Sequence, residues 1–324
     1  MKMKKLGSNG PELSVIGFGA WEAGMGAEWG SPPPKAQILE AIRRGLDAGI
    51  NWIDTAESYG DGRSEELVAE ALAGRRDEVM IATKVAPAPE GTGFRSDEIA
   101  KACKQSLARL GTDRIDLYQL HWPDETGVPI EETWGAMAGL VAEGVVRYVG
   151  VSNFDRRLIE LCEAIRHVDS AQQEFSMLTL AERDLIRWCG EVGTGVVSYG
   201  PLAYGLLTGS ITMETTFDQH DHRGPGGEDA WGALFEPTKR ERSLAVVSGL
   251  RSIALRLGVS VSQLALAWNF HQPGVTAAIA GSRSPEHTLS NASAGDIELD
   301  RATLDGLEEL LDEGPPPPTP STDR

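Results

Sequence analysis

Cysteine is scarce in this 324-residue chain: Cys103, Cys162 and Cys189 stand far apart and form no C-x-x-C pair. That spacing reads as reduced structural thiols in a cytoplasm. Long apolar runs are missing too. None approaches the roughly 18 residues of a membrane-crossing helix. The opening MKMKK is basic, but the LGSNGPELS that follows is no apolar signal core, so no signal peptide is expected. Positive charge is the minority: 30 Lys and Arg against 48 Asp and Glu leave a net charge of −18. Such a balance opposes nonspecific binding to nucleic acid. It also means that a phosphate-bearing ligand must meet a local cation or a helix N-terminus. A G-x-G-x-x-G after the first strand is absent, because Gly17 and Gly19 lie inside that strand.

What is present is an alternation. Apolar residues make up 41% and charged ones 24%, ordinary for a globular chain able to bury a large core. Strand-like VIGFGA (15–20) precedes helical 35–49, and NWIDTA (51–56) precedes 63–74. VMIATKV (79–85) precedes 96–111, where Ser96 is the expected N-cap with Glu98 behind it. IDLYQLHW (115–122), VRYVGVSN (146–153), AQQEFS (171–176), GVVSYGPL (195–202) and TAAIAGS (276–282) each lead into a helical pattern in turn. Eight such units predict an α/β fold, a (β/α)8 barrel, with an open doubly wound sheet as the alternative. Three pieces lie outside the repeat: a hairpin in 1–14 around Ser8-Asn9-Gly10, a long functional loop over 203–238, and a polyproline-like disordered tail over 314–324. Residues 1–313 are expected to form one domain.

Chemistry in such barrels gathers where the strands end. Those ends carry Asp54, Lys84, His121, Ser152 and Asn153, then Gln172, Gln173 and Glu174, then Ser198 and Tyr199, then Ser282 and Arg283, with Tyr59 in the loop after Asp54. Singly, each has a bland reading as a cap, a solvated side chain or a structural contact. Three ionisable groups at consecutive strand ends form a more pointed pattern. A buried acid or amine is costly unless paired, and Asp54 and Lys84 on adjacent strands can pair. A phenol near a pKa of ~10 is a sluggish acid, and an ammonium beside it favours the phenolate. In this arrangement Tyr59 donates a proton, Lys84 tunes it, Asp54 holds Lys84, and His121 orients the reacting oxygen. No metal-ligand cluster competes.

Several stretches in order, INWIDTAESYGDGRSEE, MIATKV, DLYQLHWPD, VGVSNF, SYGPLAYGLLTG and GSRSPEHTLSN, resemble the aldo-keto reductase superfamily from about Leu6 to Asn291. The look is closer to bacterial-type members and channel β-subunit relatives than to mammalian aldose reductases. The resemblance implies NADP(H)-dependent reduction of a small-molecule aldehyde or ketone, with Asp54, Tyr59, Lys84 and His121 as the catalytic four. It further implies Ser152, Asn153 and Gln173 at the nicotinamide carboxamide, Tyr199 against its ring, and Gly200, Leu202 and Gly205 around the pyrophosphate. Ser282 and Arg283 match the 2′-phosphate pocket and Asn291 the adenine contact. His287 stands where relatives often carry Arg or Gln, and Ser290 where an acid often precedes the Asn. Two other readings accompany this one: a cofactor-bound regulatory subunit of the channel β-subunit type, and a Schiff-base aldolase using Lys84. The aldolase explains neither Arg283 nor SYGPL. Trp21, Trp29, Trp122 and Tyr204 are the expected pocket walls, with Trp231 and Phe235 as lid contacts. His220, His222 and His271 carry no interpretable pattern.

Overall fold

The computed structural model describes residues 1–26, 29–87, 94–224 and 232–313. A short antiparallel hairpin comes first, β1 (Met3–Lys5) and β2 (Glu12–Ser14). Eight strands follow: β3 (Ile16–Gly19), β4 (Trp52–Asp54), β5 (Met80–Val85), β6 (Ile115–Leu120), β7 (Val146–Ser152), β8 (Ser170–Glu174), β9 (Gly195–Tyr199) and β10 (Val275–Gly281). All eight pair in parallel, and β10 closes on β3 to complete a barrel. The helices are α1 (Trp21–Gly24), α2 (Lys35–Asp47), α3 (Arg63–Ala71), α4 (Ser96–Leu110), α5 (Ile130–Ala142), α6 (Arg156–Glu163), α7 (Arg183–Val192), α8 (Pro237–Leu257), α9 (Val261–His271), α10 (Pro285–Ala294) and α11 (Arg301–Glu313). The expected barrel and hairpin are both there. Helix α11 and the short α1 are elements the sequence analysis does not anticipate, and the 314–324 tail lies outside the described residues.

Two apolar layers hold the barrel. The interior is filled by Trp52, Ala82, Leu117, Val197, Ala277 and Ile279, and the hairpin residues Leu6 and Leu13 close its lower end. Trp52 is accommodated because β3 carries Gly17 opposite it. A Cβ there would lie 2.2 Å from the indole ring. The indole N–H then donates to the Ser14 carbonyl at 2.9 Å, so a wholly buried Trp leaves no orphaned donor. The second layer lies between strands and helices and is continuous around the barrel. Strand parity separates the layers, since successive side chains point to opposite faces.

Helix ends follow local chemistry. Asp155 caps α6 by accepting from the Leu158 N–H at 2.8 Å, and Ser260 with Gln263 forms a reciprocal box at α9. At α4 the cap falls one residue earlier than expected. Arg95 is the cap residue, Ser96 is the first helical residue, and the Glu98 carboxylate accepts from the Arg95 N–H at 3.1 Å. No single described helix is long and apolar enough to cross a membrane; the α8–α9 pair, bent by 90°, passes by length and composition alone.

Candidate active site

At the C-terminal end of the barrel the strands open into a cavity of about 1260 Å3. One end is lined by Asp54, Tyr59, His121 and Trp122, the other by Arg283, His287, Ser290 and Asn291. Lys84, fully buried, sits beneath the first end and binds three oxygens. Its Nζ is 2.5 Å from Asp54 Oδ1, 2.9 Å from the Tyr59 hydroxyl and 3.1 Å from the Thr55 carbonyl. β4 and β5 are adjacent strands whose register pairs Asp54 with Ala82, so Lys84, two residues on, shares its face and reaches it. Asp54 is further held by Gln172, which donates to Oδ2 at 2.8 Å, and by Gln119 at 3.5 Å.

Electrostatics refine the expected roles. Burial alone would push the Lys84 ammonium down, but Asp54 and Tyr59 raise its pKa above the ordinary lysine value. The amine therefore stays charged. Burial pushes the Tyr59 phenol up, Lys84 pulls it back, and Asp54 pushes it up again. Lys84 eases ionisation of Tyr59 as expected, but burial is the larger effect and the net shift is upward. Loss of solvation outweighs the neighbouring charge. Burial and then Lys84 hold His121 well below the usual imidazole range, so its ring is neutral. It stands edge-on to the Tyr59 ring at 5.5 Å, stacks on Trp122, and shares a hydrogen bond with Ser58 Oγ through Nδ1 at 3.3 Å.

The middle of the cavity is built on β7, β8 and β9. Asn153 has φ 62°, a left-handed conformation that turns its amide back under the strand ends. Its Nδ2 donates to the His121 carbonyl at 3.1 Å, and the Tyr199 hydroxyl donates to its Oδ1 at 2.8 Å. Ser152 also lines the cavity. Gln173 does not. It lies in outward register, and its amide donates to the Phe154 carbonyl at 2.7 Å. The cavity residue is Gln172, paired with Ser152 of β7 and Val197 of β9. Strand parity is the reason: a shift of one residue exchanges inside for outside.

The long loop supplies a wall. A 3-10 turn over Ala203–Thr208 has left-handed φ at Ala203, Tyr204 and Gly205, following Gly200 at φ 64°. Gly200, Leu202 and Gly205 line the cavity, as do Trp21, Trp29, Trp122 and Tyr204. Phe235 instead packs edge-on against Phe217, and Trp231 lies outside the described residues. His222, given no role from the sequence, lines the cavity near Trp21. His220 and His271 do not line it; His271 Nδ1 bonds the Ala267 carbonyl.

At the far end, Arg283 follows β10. Its guanidinium donates to the backbone carbonyls of Trp29 and, at 3.4 Å, of Gly30. No carboxylate lies within ion-pair distance of it among the described residues. Ser282 Oγ donates to the Ser284 carbonyl at 2.8 Å, and Asn291 Nδ2 to the Gly281 carbonyl at 3.4 Å. The residue that sequence reasoning missed is Glu22, on α1. Its carboxylate lies against Gly281, where a Cβ would come 1.7 Å from its Oε2. A lone Glu after a strand carries no local signal; only closure of the barrel gives it a partner.

Comparisons with known proteins agree with this geometry. The aldo/keto reductase family profile matches residues 15–312. The aldo-keto reductase YhdN of Bacillus subtilis is 38% identical over 293 residues, covering 88% of this chain and 86% of that protein. Among solved structures, the glycerol dehydrogenase AKR11B4 of Gluconobacter oxydans superposes with a TM-score of 0.83 at 29% identity, covering 99% of this chain and 98% of that one. An aldo/keto reductase of Klebsiella pneumoniae, solved in complex with NADP and acetate, gives 0.74 at 32% identity over 100% and 99% of the two chains.

Proposed function

The chain belongs to the aldo/keto reductase family, and from that membership and the site's geometry we propose that it reduces an aldehyde or ketone to the alcohol with NADPH, with Tyr59 as general acid. On this reading residues 1–313 act as one reductase domain. The observation that carries the proposal is the single ammonium of Lys84, hydrogen-bonded to both Asp54 and Tyr59 at the edge of the cavity.

The cavity suits a nicotinamide dinucleotide. It runs from Tyr59 to Arg283 in one continuous volume. Ser152, Asn153 and Gln172 would hold the carboxamide, Tyr199 the ring, and Gly200, Leu202 and Gly205 the pyrophosphate. Ser282, Arg283, His287 and Asn291 would receive the adenosine end. With no carboxylate within ion-pair distance among the described residues, the guanidinium favours a phosphate there, which a planar fork of donors meets well. A complex with NADP in the Klebsiella relative supports the same cofactor here. Bound in that cavity, NADPH supplies hydride to the carbonyl carbon.

The chain's own groups then handle charge and proton. Neutral His121 can donate one hydrogen bond to the carbonyl oxygen without competing as a proton source. The Tyr59 hydroxyl delivers its proton to that oxygen as negative charge builds there. The phenolate left behind is stabilised by the Lys84 ammonium 2.9 Å away, and Asp54 keeps Lys84 charged. A protonated Lys84 is a poor nucleophile, which argues against Schiff-base chemistry. The test is consumption of NADPH by purified protein over a panel of aldehydes and ketones, with alcohol oxidation by NADP+ run in parallel. No turnover in either direction would refute the proposal.

A further inference from the structure

Glu22 is, with Asp54, one of two carboxylates among the described residues lining the cavity proposed for the dinucleotide. Its side chain projects from α1 and lies flat against Gly281, the last residue of β10. It is only partly covered by protein, and what it faces is the cavity. The charged and titratable groups around it come from four directions. Arg283 follows β10, while Arg223, Asp221 and His222 come from the long loop. Tyr59 stands in the loop after β4 and feels the Glu22 charge. On α3, Glu65 is already committed to Thr83 at 2.6 Å and to Arg109 at 2.5 Å.

The two arginines are not equivalent. Arg223 is bound by two hydrogen bonds to Asp221, at 2.9 and 2.7 Å, and lies over the Trp29 ring at 4.0 Å. Its charge is spent. Arg283 hydrogen-bonds only backbone carbonyls among the described residues, and of the nearby carboxylates Glu22 strengthens its charge most. Burial pushes the Glu22 carboxyl up to about 7, against the pull of its own backbone N–H and of Arg283 and Arg223. The group therefore changes charge near neutrality.

Resting on the proposed dinucleotide site, we propose that Glu22 is a specificity-determining residue for the cofactor. Its carboxylate, in the cavity it shares with Arg283, opposes a dinucleotide phosphate when ionised and admits one when protonated, so binding takes up a proton. No bond is made or broken beyond that proton, which the buffered solvent supplies. The sign follows from linkage. An incoming phosphate raises the Glu22 pKa further, so above about 7 the complex holds a proton that the free protein has lost. Affinity then falls with rising pH, by at most about tenfold per unit for a single group.

The experiment is calorimetric titration of the full-length protein with NADPH between about pH 6.5 and 8.5, in buffers of different ionisation enthalpy, alongside Glu22→Gln. The NADPH 2′-phosphate titrates in both proteins, so the difference between them isolates the carboxyl. The expected result is proton uptake in the parent protein above neutrality that is absent from E22Q, and NADPH binding at least about fivefold tighter in E22Q at the alkaline end. Equal proton uptake and parallel affinity profiles would overturn the role of Glu22 while leaving the cofactor site intact. Absence of NADPH binding in both proteins would instead refute the cofactor site itself, and the inference with it. Binding lost only in E22Q, with its melting temperature unchanged, would show that Glu22 attracts the ligand and would reverse the proposal.

Discussion

The Nζ of Lys84 lies 2.9 Å from the hydroxyl of Tyr59, with Lys84 fully buried and Tyr59 half-buried at the edge of the cavity. Removing that ammonium strands the Asp54 carboxylate with, among the described residues, only the Gln172 and Gln119 amides as side-chain partners. Lys84→Met should therefore cost about 3–5 kcal/mol of stability, the range for breaking a buried pair from one side. Denaturant titration measures it. The double variant Lys84→Met with Asp54→Asn should recover part of that loss. A single variant as stable as the parent would contradict the pairing.

Gln172 and Gln173 separate function from support. Gln172→Leu is expected to weaken NADPH and lower kcat, because its amide lines the cavity and holds Asp54. Gln173→Leu leaves the Phe154 carbonyl unpartnered and should cost about 1–3 kcal/mol of stability with little change in cofactor affinity. Fluorescence titration with NADPH and denaturation of both variants decide the matter.

Arg283→Ala removes a guanidinium whose hydrogen bonds, among the described residues, go to backbone carbonyls rather than to a carboxylate. Hydrogen bonds to charged groups contribute about 1.5–3 kcal/mol, so NADPH affinity should fall roughly ten- to a hundredfold. NADH affinity should change little, since it lacks the 2′-phosphate. Equal losses for both would indicate that the mutation acts through the Trp29 and Gly30 carbonyls that Arg283 also binds.

Glu22 should also leave a mark on stability. Burial raises its carboxyl from 4.5 to about 7, so between those values the folded chain binds a proton that the unfolded chain releases. Its contribution is present below the lower value and is lost as pH rises through the upper one. Glu22→Gln should raise the melting temperature by about 2 °C near pH 8 and by less near pH 5. A shift independent of pH would remove the titration.

Much of this site was legible from sequence because each strand end carries its own signal. Asp54 breaks an apolar run and Lys84 sits within another, so the barrel pattern alone brings them to one rim. What failed was parity and long-range closure. Two adjacent glutamines look alike until the pairing of Ser152 with Gln172 determines which one faces inward. Ser96 resembles a cap until Glu98 is seen to bind the Arg95 N–H. Glu22 and Gly281 lie at opposite ends of the chain, and their contact exists only because β10 closes on β3. The direction of the Tyr59 shift depends on the balance between burial of the phenol and the charges of Lys84 and Asp54, which no motif encodes.

The most direct test of the account is Tyr59→Phe, assayed for aldehyde reduction with saturating NADPH. The account predicts unchanged NADPH binding and a fall in kcat of roughly two to four orders of magnitude, the span assigned to a positioned general acid. Parental turnover in this variant would contradict the account at its centre.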